Sequence, residues 1–461
     1  MSPTATASKR PALGAPPAWD FPKVNRNDLD NGLKVLSAHS PGQLLATAQI
    51  VIDAGAQNEV DGQYGAANLA VRSLLEGTER HKGPAFANAL ESLGAQIGVG
   101  CNWDTFRVNL TAPRNRMETA MELLAEAVLT PEFPTRDVDR LRDQRMAGVL
   151  QDYSSAASRA SIAFDRAAYT SDSAYYRPAH GSYWSVAQLG KKAIKKYYDT
   201  MATPGSSALV VVGDLDEYPL AKIGEKLFGG WKGKEAPRPE LVVRGTPQQN
   251  TVILVDRVDA EQSHLMIGHI GVSRLVPEYT PLVFVATALG GLFGSRLNMK
   301  LREEKGYTYG ITSSFDFRRQ AGPFRISTAV DTDVTIDAIA DVVEVLQGLR
   351  DGGITEEELS DVRSFLLGSF ARQYESPQSI ANAISTLVTF GLPDNYYEGS
   401  REAIEGVTLE DAAAAAEYIE PDGLVIVVVG DAEKLHQPLV DAEFGTVAVI
   451  EDPENGEPPT N

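Results

Sequence analysis

The sequence predicts an α+β fold built as a tandem repeat of two homologous two-layer domains, each a mostly antiparallel sheet with helices on one face. Three observations lead there. Arg142 and Arg363, Tyr153 and Tyr374, and Tyr175 and Tyr396 recur at a constant offset of 221 residues, the first pair closing the similar segments PTRDVDRLR and ITEEELSDVR. Each copy then ends on a β-branched run with a Gly-Asp finish, ALVVVGD at Asp214 and LVIVVVGD at Asp431, now 217 apart. A short deletion in a loop accounts for the smaller offset, because loops tolerate such changes. Finally, strand-like runs such as LATAQIVIDAG alternate with stretches such as METAMELLAEAVL, where Met117, Met121, Leu124 and Val128 recur at helical spacing.

The repeat divides the chain into a flexible arm over residues 1–25, an N-terminal domain over 26–236, a homologous domain over 237–450 and a tail over 451–461. Between the copies, GGWKGKEAPRPELVVRGTPQQ mixes Gly, Pro and charge without periodicity, as a linker does. Two domains also suit a chain of 461 residues.

Composition narrows the function. Charged residues are 23% and hydrophobic residues 43%, the usage of a globular protein. The net charge of -20 argues against nucleic acid, which is bound by clustered Lys and Arg that displace counterions, and makes an anionic membrane surface an unfavourable partner. Cys101, the single cysteine, can form no internal disulfide. The opening MSPTATASKRPALGAPPAWDFP has Lys9 and Arg10 without an apolar run behind them, so no secretory signal is expected there. No stretch approaches the roughly 18 apolar residues that span a bilayer. The expected location is the cytoplasm, with the periplasm as the alternative if a signal peptide has been removed.

The segment Gly65-Ala66-Ala67-Asn68-Leu69-Ala70-Val71-Arg72-Ser73-Leu74-Leu75-Glu76-Gly77-Thr78 resembles the G-x-A-H-x-x-E-H-x-x-x-x-G-T stretch of the pitrilysin and insulinase family of zinc peptidases, the inverted zincins that include the mitochondrial processing peptidase. The resemblance covers both halves. In that motif two His one helical turn apart hold zinc and the Glu between them is the general base. Here the frame stands without the chemistry: Asn68 and Arg72 occupy the ligand positions and Val71 the base position. Asn is a poor zinc ligand, Arg is permanently cationic, and Val moves no proton. The histidines, His39, His81, His180, His264, His269 and His436, include no i,i+4 pair. The family's third ligand, a Glu, is expected near Gly148 to Leu150, where no Glu lies. No metal or other cofactor is therefore expected in this chain.

The second copy reads Ser295-Arg296-Leu297-Asn298-Met299-Lys300-Leu301-Arg302-Glu303-Glu304-Lys305-Gly306-Tyr307-Thr308-Tyr309-Gly310. It is similar to the family's L-R-x-x-x-G-x-x-Y segment, and the resemblance implies that Arg302 binds a substrate carbonyl and Tyr309 donates to the oxyanion at the scissile carbon. Positioned donors of that kind contribute about 2.7–4 kcal/mol of barrier lowering. The plainer reading takes LREEKG as a solvated helix end stopped by Gly and a strand Tyr as half-buried packing. Upstream, Gly290, Gly291 and Gly294 in ALGGLFGS match the place of a substrate-touching glycine-rich loop in the family's non-metal subunit, or form only a tight turn. A phosphate loop is excluded for lack of the Lys-Ser/Thr ending.

The resemblance implies a heterodimer in which a homologous H-x-x-E-H chain carries the zinc and this chain contributes Arg302 and Tyr309. Peptides would then be cut only by the pair. A catalytically inert structural paralogue, like the core subunits of the cytochrome bc1 complex, is the main alternative, and the Arg302 and Tyr309 pair argues against it. A homodimeric peptide-binding chamber is a third.

Overall fold

The computed structural model describes residues 19–214, 219–233, 235–237, 243, 245 and 249–450. The 451–461 tail, about half of the linker and residues 1–18 of the expected arm lie outside them.

Each half contains one six-stranded sheet. In the first, β1 (Val24–Arg26), β2 (Lys34–His39), β3 (Leu45–Ile52), β4 (Gln96–Cys101), β5 (Phe106–Pro113) and β6 (Ser207–Gly213) are ordered β1-β2-β6-β3-β5-β4. In the second, β7 (Thr251–Asp256), β8 (Gln262–Ile270), β9 (Ile311–Phe315), β10 (Pro323–Asp331), β11 (Val425–Gly430) and β12 (Thr446–Ile450) are ordered β12-β7-β11-β8-β10-β9. Five strands correspond one for one, β2-β6-β3-β5-β4 with β7-β11-β8-β10-β9, so the sequence repeat is a structural repeat. Parallel pairing occurs only at β2–β6, β7–β11 and β7–β12 among the described strands; the remaining ladders are antiparallel.

The helices of the first half are α1 (Ala66–Ser73), α2 (Pro84–Ser92), α3 (Met117–Leu129), α4 (Thr135–Ser154), α5 (Ala156–Ala168), α6 (Tyr183–Ala187), α7 (Lys191–Met201) and α8 (Leu220–Phe228). Those of the second are α9 (Tyr279–Ala286), α10 (Thr335–Gly352), α11 (Glu356–Gln373), α12 (Pro377–Phe390), α13 (Ser400–Gly406), α14 (Leu409–Ala416) and α15 (Ala432–Asp441). The helical spacing read at Met117, Met121, Leu124 and Val128 is the buried face of α3.

The alternation of the central strands explains how the halves join. Leu209 and Val211 of β6 face the helices of their own half, whereas Ala208, Val210 and Val212 face the other way. That second face is covered by Ile380, Ala381, Ala383 and Ile384 of α12, a helix of the second half. The arrangement is reciprocal. Val425, Val427 and Val429 of β11 are covered by Ala160, Ala163, Phe164 and Ala168 of α5, a helix of the first half. Both central strands are therefore buried along their whole length, which is why they read as unbroken apolar runs. Two layers per repeat is right for each half's own elements, and the exchanged helix adds a third.

The exchanged helices start from strong local signals. Ser376 and Ser379 form a reciprocal capping box around Pro377, and α12 stops at Gly391, whose φ is +66°. Ser155 caps α5 by accepting from the Ser158 amide. Residues 19–26, expected in part as a flexible arm, are packed: Trp19 stacks on Tyr374 and Phe21 on Tyr397, and Val24–Arg26 adds an edge strand. Their aromatic rings bury against the second half. No helix among the described residues is long and apolar enough to cross a membrane.

Candidate functional site

The degenerate motif lies on α1, and its glycine frame has a packing reason. Gly65 has φ +99°, and a Cβ there would stand 2.8 Å from Val186 Cγ2 and 2.9 Å from the His180 carbonyl oxygen. The first amides of α1 are satisfied by a half-buried carboxylate, Glu59, which accepts from Gly65 N at 3.0 Å and Ala67 N at 2.8 Å. Burial pushes that carboxyl up to about 8, against the pull of the two amides and of Arg177.

A groove of about 520 Å3 runs beside α1, lined by Asn68, Val71 and Arg72 and by Arg140, Leu141 and Gln144 of α4. Asn68 Oδ1 is buried without a hydrogen-bond partner among the described residues, Val71 is fully buried, and Arg72 is exposed. The groove's carboxylate, Glu76, is held by Arg140 at 2.5 Å. Two guanidinium groups, two amides and alkyl side chains, with the carboxylate of Glu76 already paired to Arg140, do not fit a zinc ion, which takes neutral His or anionic donors. The α4 residues that share the groove with Asn68 and Arg72 are Arg140, Leu141 and Gln144, whereas Val149, in the stretch where the third ligand was expected, is buried. Among the described residues no group of three or more His, Cys, Asp or Glu is placed to hold a metal. His81 instead pairs with Glu126 at 2.7 Å, and His180, pushed down to about 4 by burial and Arg145, lies 3.4 Å from Asp152.

In the second half, α9 continues into a wide π-type turn at Thr287–Gly291, and a second π-type stretch, Asn298–Glu304, carries Arg302. Arg302 lies on the surface with its guanidinium 4.3 Å from the Phe293 ring centre and 3.4 Å from Glu303 Oε1. Tyr309 is 95% exposed, just ahead of β9. The three glycines differ. Gly290 is buried against β9, where a Cβ would stand 2.6 Å from Ser313 N, whereas Gly291 and Gly294 are exposed and nothing lies within 4 Å of a Cβ at Gly294. Close helix–strand packing accounts for Gly290.

Sequence reasoning missed what holds this loop. Asn298 is buried and donates to the carbonyls of Leu292 at 3.2 Å and Ile311 at 2.9 Å, while its Oδ1 accepts from Ile311 N at 3.3 Å. One side chain thus pins the glycine turn and the start of β9 together. Downstream, Thr308 Oγ1 accepts from Gly310 N at 3.1 Å and from Thr328 Oγ1 of β10 at 2.9 Å. A polar Asn three residues before Leu301, on the same apolar helix face, was the available signal.

Residues 34–171 match the insulinase family of peptidases, family M16, and residues 188–366 match the peptidase M16 inactive domain. An uncharacterized zinc protease of Mycobacterium leprae is 24% identical over 86% of this chain and 89% of its own length. The non-peptidase homolog YmxG of Helicobacter pylori is 23% identical over 76% of this chain and 80% of its own. Subunit 1 of the bovine mitochondrial cytochrome b-c1 complex is 24% identical over 46% of this chain and 44% of its own. Among solved structures, a peptidase M16 inactive domain from Pseudomonas fluorescens superposes with a TM-score of 0.83 at 24% identity, covering 88% of this chain and 98% of that one. A protease from Helicobacter pylori gives 0.82 at 17% identity, covering 89% of this chain and all of that one. These two likenesses establish the fold.

Proposed function

Because the chain belongs to the insulinase family of peptidases, family M16, and its own α1 groove does not fit a metal, we propose that it is the non-zinc-binding subunit of a heterodimeric zinc metalloendopeptidase. The observation that carries the reading is Tyr309. Had its role been packing, the ring would be half-buried; it is 95% exposed, on a loop fixed at both ends by Asn298 and Thr308. A large aromatic side chain held out on a pinned loop is suited to contact another molecule.

A homologous H-x-x-E-H subunit would supply the zinc and with it the activated water. Arg302 would donate to a backbone carbonyl of the bound peptide, and its position over Phe293 keeps the guanidinium at the surface. Tyr309 would donate its phenolic proton to the oxyanion as charge develops there. Gly291 and Gly294 would let the peptide backbone approach closely.

The test is to isolate the chain with its native partner and assay peptide cleavage by chain, partner and complex. Cleavage by the complex alone, lowered in kcat by about 10²–10³ in both Arg302→Ala and Tyr309→Phe with assembly unchanged, supports the reading. Cleavage that survives both substitutions sinks it. A second reading, an inert structural paralogue, draws on the resemblance to the non-peptidase homolog YmxG and to the cytochrome b-c1 subunit. It would be favoured by an assembly with no peptidase activity at all.

A further inference from the structure

A separate cavity of about 730 Å3 lies in the second half between the start of α9 and helices α11, α12 and α13. It shares no lining residue with the α1 groove or the Arg302–Tyr309 loop. Its walls combine apolar and aromatic side chains with polar groups, with Leu366 and Phe370 of α11 on one side and Ala403 of α13 at an exposed edge. That volume falls within the range of small-molecule sites, roughly 300–1,000 Å3.

One charged group lines it. Arg274 is 6% exposed, and its guanidinium lies 3.4 Å from the centre of the Tyr279 ring and 5.1 Å from that of Tyr396. Its side chain donates to Tyr396 Oη at 2.8 Å, and among the described residues it meets no carboxylate. Arg318, equally buried, shows the usual solution: Asp316 holds it at 2.6 Å. In a chain with 62 acidic residues, a buried guanidinium without a carboxylate is an unbalanced charge. Two aromatic faces and one phenol stabilise it in part, but four of its five N–H donors remain for another acceptor.

We infer that this cavity binds a small, largely apolar carboxylate. The carboxylate would take the fork of Arg274, for which bidentate pairing is the matching geometry, and the apolar body would lie against Leu366 and Phe370. The inference stands apart from the peptidase reading, since neither Arg302 nor Tyr309 takes part.

The experiment titrates the full chain with 4-phenylbutyrate and, separately, with its neutral amide, following binding by calorimetry and ligand-observed NMR. Saturable binding of the acid, at least tenfold tighter than the amide, is expected. Arg274→Met should lose that preference. Ala403→Trp, a substitution at an exposed position that leaves the core untouched, should weaken binding of the acid tenfold or more by filling the mouth. Equal binding of acid and amide, no binding of the acid, or binding unchanged in Ala403→Trp would each overturn the inference. If Arg274→Met does not fold, the acid–amide comparison and Ala403→Trp decide it.

Discussion

Gln49 on β3 accepts a hydrogen bond from Ser385 Oγ on α12 at 2.6 Å, and both side chains are fully buried. The two residues belong to different halves, and Gln49 Nε2 donates to Asn382 Oδ1 of the same helix at 2.8 Å. A polar pair in an apolar layer fixes how α12 lies across the sheet, because any slip leaves both groups unpaired. Gln49→Leu should destabilise the chain by about 1–3 kcal/mol, the cost of leaving a buried hydroxyl unsatisfied. Adding Ser385→Ala should recover part of that loss. Urea denaturation of both single variants and the double variant measures the coupling, and strictly additive effects would show that the pair does not act as one unit.

Glu59 gives the stability of the α1 region a pH dependence. Its folded-state pKa is pushed up to about 8 by burial, above the ordinary Glu value of 4.5. The folded state therefore holds a proton that the unfolded chain has released, and the associated stability is complete below about 4.5 and lost as pH rises through about 8. The melting temperature should fall across that window in the native protein and fall less in Glu59→Gln, which keeps an acceptor for the Ala67 amide. Parallel melting curves for the two proteins would show that the carboxyl titrates elsewhere.

The repeat and the two central strands were readable in the sequence because strand burial writes itself as uninterrupted Val and Ile, and because homologous halves keep their spacing. The exchange of α5 and α12 was not readable. Each helix has an ordinary apolar face, and nothing local says whether the sheet it covers is its own or the other half's; that is decided by the direction in which the chain leaves α4 and α11. The candidate site divides in the same way. Residue types at Asn68, Val71 and Arg72 argued against zinc directly, whereas the α4 residues that share their groove, Arg140, Leu141 and Gln144, are seen only once α1 and α4 are packed together. The clamp formed by Asn298 needs three-dimensional contact between residues 292, 298 and 311 to be seen.

The three glycines of the turn after α9 should separate by substitution. Gly290→Ala forces a Cβ to within 2.6 Å of Ser313 N and 2.8 Å of Ser313 Oγ, and the strand cannot yield without breaking its ladder. A loss of about 1–3 kcal/mol is expected from such overpacking. Gly294→Ala meets nothing within 4 Å and should change stability by less than about 0.5 kcal/mol. Thermal melts of the two variants make the comparison, and equal effects would refute close packing as the reason for Gly290.

Restoring the motif should not by itself restore a metal centre. In Asn68→His/Val71→Glu/Arg72→His the new carboxylate replaces a fully buried Val71 side chain, and an uncompensated buried charge costs about 3–5 kcal/mol. The triple variant is therefore expected to melt earlier and to retain little zinc after gel filtration. Gln144 lines the same groove from α4, so adding Gln144→Glu supplies an anionic donor where the sequence count alone would have put it near residue 148. Zinc retention measured by atomic absorption should rise in the quadruple variant and not when Glu is placed instead at Gly148. Stoichiometric zinc in the triple variant, or a gain from Gly148→Glu equal to that from Gln144→Glu, would overturn the assignment of the groove.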